Sequence, residues 1–468
     1  MKNKIVLVWV GGTGMSGIAW ILHDLWFSAI VWIDSNESQL TEKLRSEWID
    51  ITIGHGKTDI KAGDAVIYSA AADQSPEIIQ AKEIASTYRK PMLVMNYFSF
   101  LGEISKYFVT WGITWTNGKS STTAMAVTAA NKHLPSFGLG LLGALVPDLV
   151  NKSYAINQEY TAAIHEIFEY ILTGKWRVNP EHIKKYCFIV EACEYRRHFL
   201  ALDTWLASIS SLELDHTDFF ADWDAYRDAF TTFVDRNSWL TLIQWGETMK
   251  KLAIDDAKVQ EVETMKPINF VQLIDAHAND NAATVISWLN ELAWYMDEKV
   301  DTKKIHDTLA QFSWLRRRLE YLGKNKQWTI FFSDYAHMPS SIESIGQSLR
   351  NRFADKHIHL VFQPHQVKRV LEYRDAFVAS VQDFASVHIW PLYAAREQWQ
   401  SYDHAFIQKE TTLDDLGNRF AHACKWSYVN TISALEDTIN WFWENDIVVI
   451  ATAGDLDYII RREIVLDK

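Results

Sequence analysis

The stretch Thr116-Asn117-Gly118-Lys119-Ser120-Ser121-Thr122-Thr123 follows a short apolar run at residues 107–113 and constrains this chain more than any other feature. Gly-Lys-Ser after a strand is the core of a loop that wraps a nucleoside triphosphate. Backbone N–H groups cradle phosphate, the lysine reaches the β- and γ-phosphates, and the following hydroxyl can bind Mg²⁺. A strict form of the pattern wants glycine five residues before Gly118, where the chain has Ile113. A shorter form wants it at 115, where the chain has Trp115. On local chemistry alone, nucleotide binding competes with chance occurrence.

A second glycine pattern, Gly12-Thr13-Gly14-Met15-Ser16-Gly17, lies between a strand at 4–10 and a helical stretch from Met15 to Leu25. Glycines there permit a tight turn and a close approach of backbone to phosphate, and the helix N-terminus offers free N–H groups. Asp34, about twenty positions on, stands where a ribose contact is expected. Two other readings stay open: a tight turn with no ligand, and a dinucleotide-dependent oxidoreductase. Nothing downstream reads as hydride-transfer machinery.

At roughly 100–200 residues per domain, 468 residues suggest two to four domains. Strands at 29–33, 66–69 and 92–95, with a helix near 76–88, complete a small parallel α/β domain over residues 1–105. A second segment, 106–311, carries the Lys119 loop, strands at 187–191 and 206–210, and helices at 222–235 and 280–297. A third, 312–468, alternates helices with strands at 328–333, 358–362, 386–390 and 446–451. The net charge of −13 argues against general affinity for nucleic-acid phosphate. No apolar run reaches the ~18 residues of a membrane span, and the start lacks a signal-peptide cleavage pattern. Cys187, Cys193 and Cys424 show neither zinc-like spacing nor a pairing framework. A cytoplasmic protein is the expectation.

The Lys119 loop resembles the ATP loop of the Mur ligases, and further blocks follow in that family's order along nearly the whole chain. Gly11 to Gly17 is similar to a UDP-binding turn. Glu191-Ala192-Cys193-Glu194-Tyr195, Glu213-Leu214-Asp215-His216-Thr217-Asp218 and His277 to Asn281 match central blocks. Arg317-Arg318-Leu319-Glu320, Asp334-Tyr335-Ala336-His337, Gln363-Pro364-His365, Tyr393-Ala394-Ala395-Arg396-Glu397 and Ala453-Gly454-Asp455 match the C-terminal ones. Ala278, Met338, Trp115 and Trp314 depart from the pattern, which has glycine at the last two.

The resemblance implies an α/β fold of three domains: a Rossmann-like UDP-binding domain, a central P-loop ATPase domain and a C-terminal Rossmann-like domain. It implies ATP-dependent ligation through an acyl phosphate in peptidoglycan synthesis. The Gln-Pro-His and Tyr-Ala-Ala-Arg-Glu blocks favour the branch that joins L-alanine to UDP-N-acetylmuramate. The alternatives are the branch that reattaches recycled murein tripeptide, and a weakened nucleotide-binding relative. By the same resemblance Thr116, Asn117, Gly118, Lys119, Ser120, Ser121, Asn281, Arg318 and Asp334 would bind ATP. Ser120 and Glu191 would hold one Mg²⁺, and His216 a second, or else the acyl phosphate. Lys119, His216 and Arg318 would be catalytic. Gly12, Thr13, Gly14, Met15, Ser16, Asp34, His337 and Arg396 would lie on the substrate side. Glu194 reads either as an acid behind the site or as a plain ion-pair partner. A monomer or weak homodimer is expected.

Tryptophan is oddly common. There are 21 Trp and 19 Gly, where average usage predicts roughly 33 glycines. Trp9, Trp26, Trp32, Trp48, Trp115 and Trp314 fall where the resemblance has glycine, with Trp111, Trp205, Trp328 and Trp441 as further candidates. Glycine at such turns supplies positive φ or room for a ligand, and an indole supplies neither. Independent mutation should not converge on one bulky residue. UGA codons meant as glycine but read as tryptophan would explain the pattern. True core tryptophans and a decayed ligase are the competing accounts.

Overall fold

Three sheets built mainly of parallel strands carry the fold. The computed structural model describes residues 3–87, 92–114, 118–174, 177–209, 212–216, 219–243, 246–252, 259–262, 268, 278–394, 397, 400, 402 and 412–467. The first sheet holds β1 (Ile5–Val8), β2 (Ile30–Asp34), β3 (Ile51–Ile53), β4 (Ala65–Tyr68) and β5 (Val94–Asn96), in the order β3-β2-β1-β4-β5 and all parallel. The second holds β6 (Val109–Thr114), β7 (Phe137–Val146), β8 (Lys152–Ile156), β9 (Cys187–Glu191), β10 (Leu206–Ile209), β11 (Leu240–Ile243) and β12 (Val259–Glu261), in the order β12-β11-β10-β6-β9-β7-β8. The third holds β13 (Glu320–Lys324), β14 (Ile330–Asp334), β15 (His357–Gln363), β16 (Ser386–Ile389), β17 (Ser427–Tyr428) and β18 (Asp446–Thr452), in the order β13-β14-β18-β15-β16-β17. The α/β expectation is met. β1, β4 and β6 are buried along their whole length, as strands covered by helices on both faces must be.

By packing, the chain divides into two compact units: residues 1–271 with 279–313, and residues 272–278 with 314–468. The first two sheets share the first unit, and one glycine makes their approach possible. A Cβ on Gly17, in the helix Thr13–Asp24, would lie 2.5 Å from Leu141 of β7 and 3.1 Å from the Ser153 hydroxyl of β8. Ser153 also donates a 2.9 Å hydrogen bond to the Thr13 carbonyl. β7 and β8 form an antiparallel pair that the sequence reading did not locate. Gly138, Gly140 and Gly143 interrupt β7, and glycine weakens the strand signal.

Five tryptophans adopt left-handed backbone: Trp9, Trp26, Trp48, Trp314 and Trp328, with φ from 54° to 68°. For a bulky residue this is an outlier. Two of them end helices in the same way. After Thr13–Asp24, the Trp26 N–H reaches the His23 carbonyl and the Phe27 N–H reaches that of Leu22. After Gln39–Ser46, the Trp48 N–H reaches Arg45 and the Ile49 N–H reaches Leu44. These are Schellman caps, whose left-handed position belongs to glycine. The indoles gain nothing in return, since Trp26 is 87% and Trp48 91% exposed. Trp328 sits in the β13–β14 turn, donating to the Asn325 carbonyl, where a left-handed residue is again ordinarily glycine. Trp32, Trp111 and Trp205 show no positive φ, and Trp441 ends the helix Ile432–Trp441. The backbone gives no reason for glycine at those four. Trp111 is fully buried, donates to Ser208 Oγ at 2.6 Å and stacks on Trp288. Trp115 lies outside the described residues.

Trp26→Gly and Trp48→Gly should each stabilise the protein by about 1 kcal/mol. That figure is the left-handed penalty of roughly 1–2 kcal/mol less the extra unfolded-state freedom of glycine. Urea midpoints of the single and double variants check this; a fall in midpoint would contradict it.

Candidate active site

The loops leaving three neighbouring parallel strands, β10, β6 and β9, meet at one edge of the second sheet. Carboxyl ends of parallel strands are where α/β folds place ligands. From β6 the chain runs through Trp115, Thr116 and Asn117, which lie outside the described residues, to Gly118. Gly118 has φ 99° and caps the helix Lys119–His133. A side chain at that φ would strain the turn. Ser120 and Ser121 are buried in the helix's first turn.

Lys119 Nζ lies 2.8 Å from Glu194 Oε1, just beyond β9. Burial works against the ammonium, but Glu194, together with Cys193 and Glu191, outweighs it, and the lysine pKa is raised. From the β10 side, His216 Nε2 comes within 3.7 Å of the same Glu194 oxygen and 3.8 Å of Asp215 Oδ2. His216 has φ 55°, its N–H held by Asp215 Oδ1 at 2.6 Å and its ring tilted 4.6 Å from Tyr195. Glu191, the last residue of β9, accepts from Ser120 Oγ at 3.2 Å and from the Gly143 N–H at 2.9 Å. The structure thus brings Lys119, Ser120, Glu191 and His216 together.

Ser120 Oγ and Glu191 are adjacent hard oxygens of the kind Mg²⁺ prefers. Among the described residues, no group of three or more His, Cys, Asp or Glu side chains is arranged to hold a metal. A Mg²⁺ at the Ser120–Glu191 pair would take its remaining ligands from water and phosphate, which is its habit. Asn281, in the helix Ala278–Tyr295, is 2% exposed, and its Nδ2 has no hydrogen-bond partner among the described residues. A buried amide donor normally has an acceptor.

The glycine turn of the first sheet is built differently from the sequence expectation. Asp34 ends β2, and its carboxylate accepts from the Gly11 N–H at 2.7 Å and the Asn36 N–H at 3.1 Å. Both oxygens therefore close the turn, and a ribose would have to share them. A Cβ on Gly14 would lie 2.6 Å from the Tyr97 ring. Burial first, then the nearby Glu191 carboxylate, push the Tyr97 hydroxyl pKa up. Met15 and Ser16 are buried, with Ser16 Oγ donating to the Thr13 carbonyl at 2.8 Å. Their side chains belong to the core, which leaves Gly12, Thr13 and Gly14 to edge the turn.

In the second unit, residues at the carboxyl ends of β14, β15 and β18 gather in the same manner. Asp334 is 6% exposed, and its oxygens accept from the Leu319 N–H at 2.7 Å and the Ala336 N–H at 2.8 Å. It pins the segment that carries Arg318. The Arg318 guanidinium lies 5.4 Å from the centre of the Tyr335 ring and makes no ion pair among the described residues. His337 Nδ1 sits 2.9 Å from the Tyr335 carbonyl, and its ring lies 5.6 Å from that of His365, which stacks on Tyr393. Arg396 and His277 lie outside the described residues. Tyr97 and Gly143 were missed from sequence, since nothing local marks either.

Residues 317–454 match the family described as Mur ligase, glutamate ligase domain. The UDP-N-acetylmuramate–L-alanine ligase of Clostridium botulinum is 27% identical over 487 residues, spanning 97% of this chain and 96% of that one. Among solved structures, the UDP-N-acetylmuramate–alanine ligase of Thermotoga maritima superposes with a TM-score of 0.71 at 21% identity, covering 98% of each chain. The folylpolyglutamate synthase of Mycobacterium tuberculosis, solved with ADP and AMPPCP, gives 0.53 at 15% identity, covering 78% of this chain and 94% of that one. Residues 317–454 match the Mur ligase C-terminal domain, and end to end the chain is similar to UDP-N-acetylmuramate–L-alanine ligases, whose fold it shares.

Proposed function

We propose that this protein joins L-alanine to UDP-N-acetylmuramate at the expense of ATP, in the cytoplasm, as a step of peptidoglycan synthesis. The observation that carries the reading is the meeting of Lys119, Ser120, Glu191 and His216 at the carboxyl ends of β6, β9 and β10. It is supported by homologues of that name that match the chain end to end.

The chemistry is a problem of charge. The substrate carboxylate attacks the γ-phosphorus of ATP, forming a C–O–P bond as the bond to ADP breaks. The amine of alanine then attacks the acyl carbon and loses a proton, and inorganic phosphate leaves from a tetrahedral intermediate. In the first step two anions must approach. The Lys119 ammonium, kept charged by its carboxylate partner, neutralises the β- and γ-phosphates. Mg²⁺, held by Ser120 and Glu191, would supply further positive charge to the phosphate oxygens. The orphan Asn281 amide offers a hydrogen bond to an acceptor on the nucleotide. His216 would ligate a second Mg²⁺ or position the acyl phosphate. By the family resemblance Arg318, whose segment Asp334 fixes, would bind ATP. A monomer or weak homodimer suffices for this chemistry.

Phosphate release with ATP, Mg²⁺, UDP-N-acetylmuramate and each of several amino acids tests the proposal. It is measured on the chain as written and on Trp115→Gly, with the murein tripeptide as a further acceptor. Stimulation by L-alanine is expected; stimulation by the tripeptide alone would move the chain to the recycling branch. Lys119→Ala should lose ligation by at least about 100-fold while UDP-N-acetylmuramate still binds. Turnover retained in that variant would refute the assignment of the loop.

A further inference from the structure

Glu194 touches no reactant in the proposed reaction, yet it lies between Lys119 and His216. It is fully buried. One oxygen, Oε1, faces both Lys119 Nζ at 2.8 Å and His216 Nε2 at 3.7 Å. The other, Oε2, is buried with no hydrogen-bond partner among the described residues. A carboxylate kept for stability alone would have both oxygens satisfied, because an unsatisfied buried one is costly. The two groups it faces come from different strands, Lys119 beyond β6 and His216 beyond β10, while Glu194 itself follows β9.

We propose that Glu194 is a positioning residue that takes, beside Lys119, the place a phosphate would take. It holds the Lys119 ammonium extended and the His216 ring beside it, so that arriving ATP exchanges one anion for another at a cation already in place. The inference rests on the ATP reading of this site. Two consequences differ in sign. Losing the carboxylate removes a competitor for Lys119, so ATP binds more tightly. It also removes the restraint that aims Lys119 and His216, so turnover falls.

The test is Glu194→Gln, which keeps shape and drops charge, made on the protein that turns over in the phosphate-release assay. The expected result is a split: kcat lower by about tenfold or more, with KM for ATP and the equilibrium Kd for ATP lower by at least about threefold. Glu194→Asp, which keeps the charge one methylene further back, should recover part of kcat. A loss of kcat with unchanged ATP affinity, as destabilisation alone would give, overturns the proposal, and so does unchanged kcat. If Gln at a buried site prevents folding, the same split is read from Glu194→Ala, which also drops the charge. ATP binding is measured directly, so a protein that binds ATP but ligates nothing sinks the ligase reading and still tests Glu194.

A separate observation carries a second inference. Trp9, Trp26, Trp48, Trp314 and Trp328 hold left-handed φ, and three of them expose their indoles at turns: Trp26, Trp48 and Trp328. We infer that glycine belongs at these five positions, tryptophan having entered through UGA codons that the source organism reads as glycine. Backbone conformation and the excess of tryptophan over glycine point the same way. The gene decides it: UGA is expected at codons 9, 26, 48, 314 and 328, and at 115 by the resemblance. UGG at these codons overturns the inference.

Discussion

A half-buried ammonium must be compensated, and Lys119 obliges three strand ends to converge on it. The helix Lys119–His133 begins where Gly118 turns through left-handed backbone, which aims the lysine into the sheet edge. Glu194 then has to follow β9 and His216 has to follow β10, because only the strands flanking β6 can reach the same point. The strand order of the second sheet is therefore part of the chemistry. Moving β9 away from β6 would take the Glu194 carboxylate from the lysine, and moving β10 away would take His216 from Glu194.

Both acidic residues expected to touch nucleotide or ribose turn out to be scaffolding first. Asp34 closes the Gly11 turn and Asp334 fixes the Arg318 segment, each with two backbone N–H groups on its carboxylate. A carboxylate so held is a rigid acceptor, and its remaining lone pairs point where the backbone dictates. Glu194 is the opposite case, a carboxylate with only one oxygen engaged. That contrast separates a side chain that builds the site from one poised to give up its partner.

How much of this was legible in sequence depended on range. Gly118-Lys119-Ser120 announces a strand, a turn and a helix within a dozen residues, and those elements appear where expected. Glu191 and His216 could be named from their blocks, though nothing local says they share a site with Lys119. The β7–β8 pair was invisible because its glycines erase the apolar alternation. Gly17 looked like a phosphate glycine, but its missing Cβ serves packing against Leu141 and Ser153. That contact is made by residues more than a hundred positions away, and no local pattern encodes it. Met15 and Ser16 sit in the same ligand-like motif, and their side chains face the core.

The tryptophans show the same dependence on range from the other side. A left-handed position is a local demand, set by a helix end or a tight turn, and it should be met by the residue that stands there. At Trp26 and Trp48 the surrounding hydrogen bonds are complete, and only the side chain is out of place. Neighbouring packing cannot be holding these residues in strained conformations, because their indoles lie almost wholly in water. The strain therefore buys neither contact nor function, unlike that of His216, whose positive φ brings its ring to Glu194 and Tyr195. Backbone that suits glycine, repeated at separate turns with one misfit residue type, is the pattern that glycine at those positions would produce.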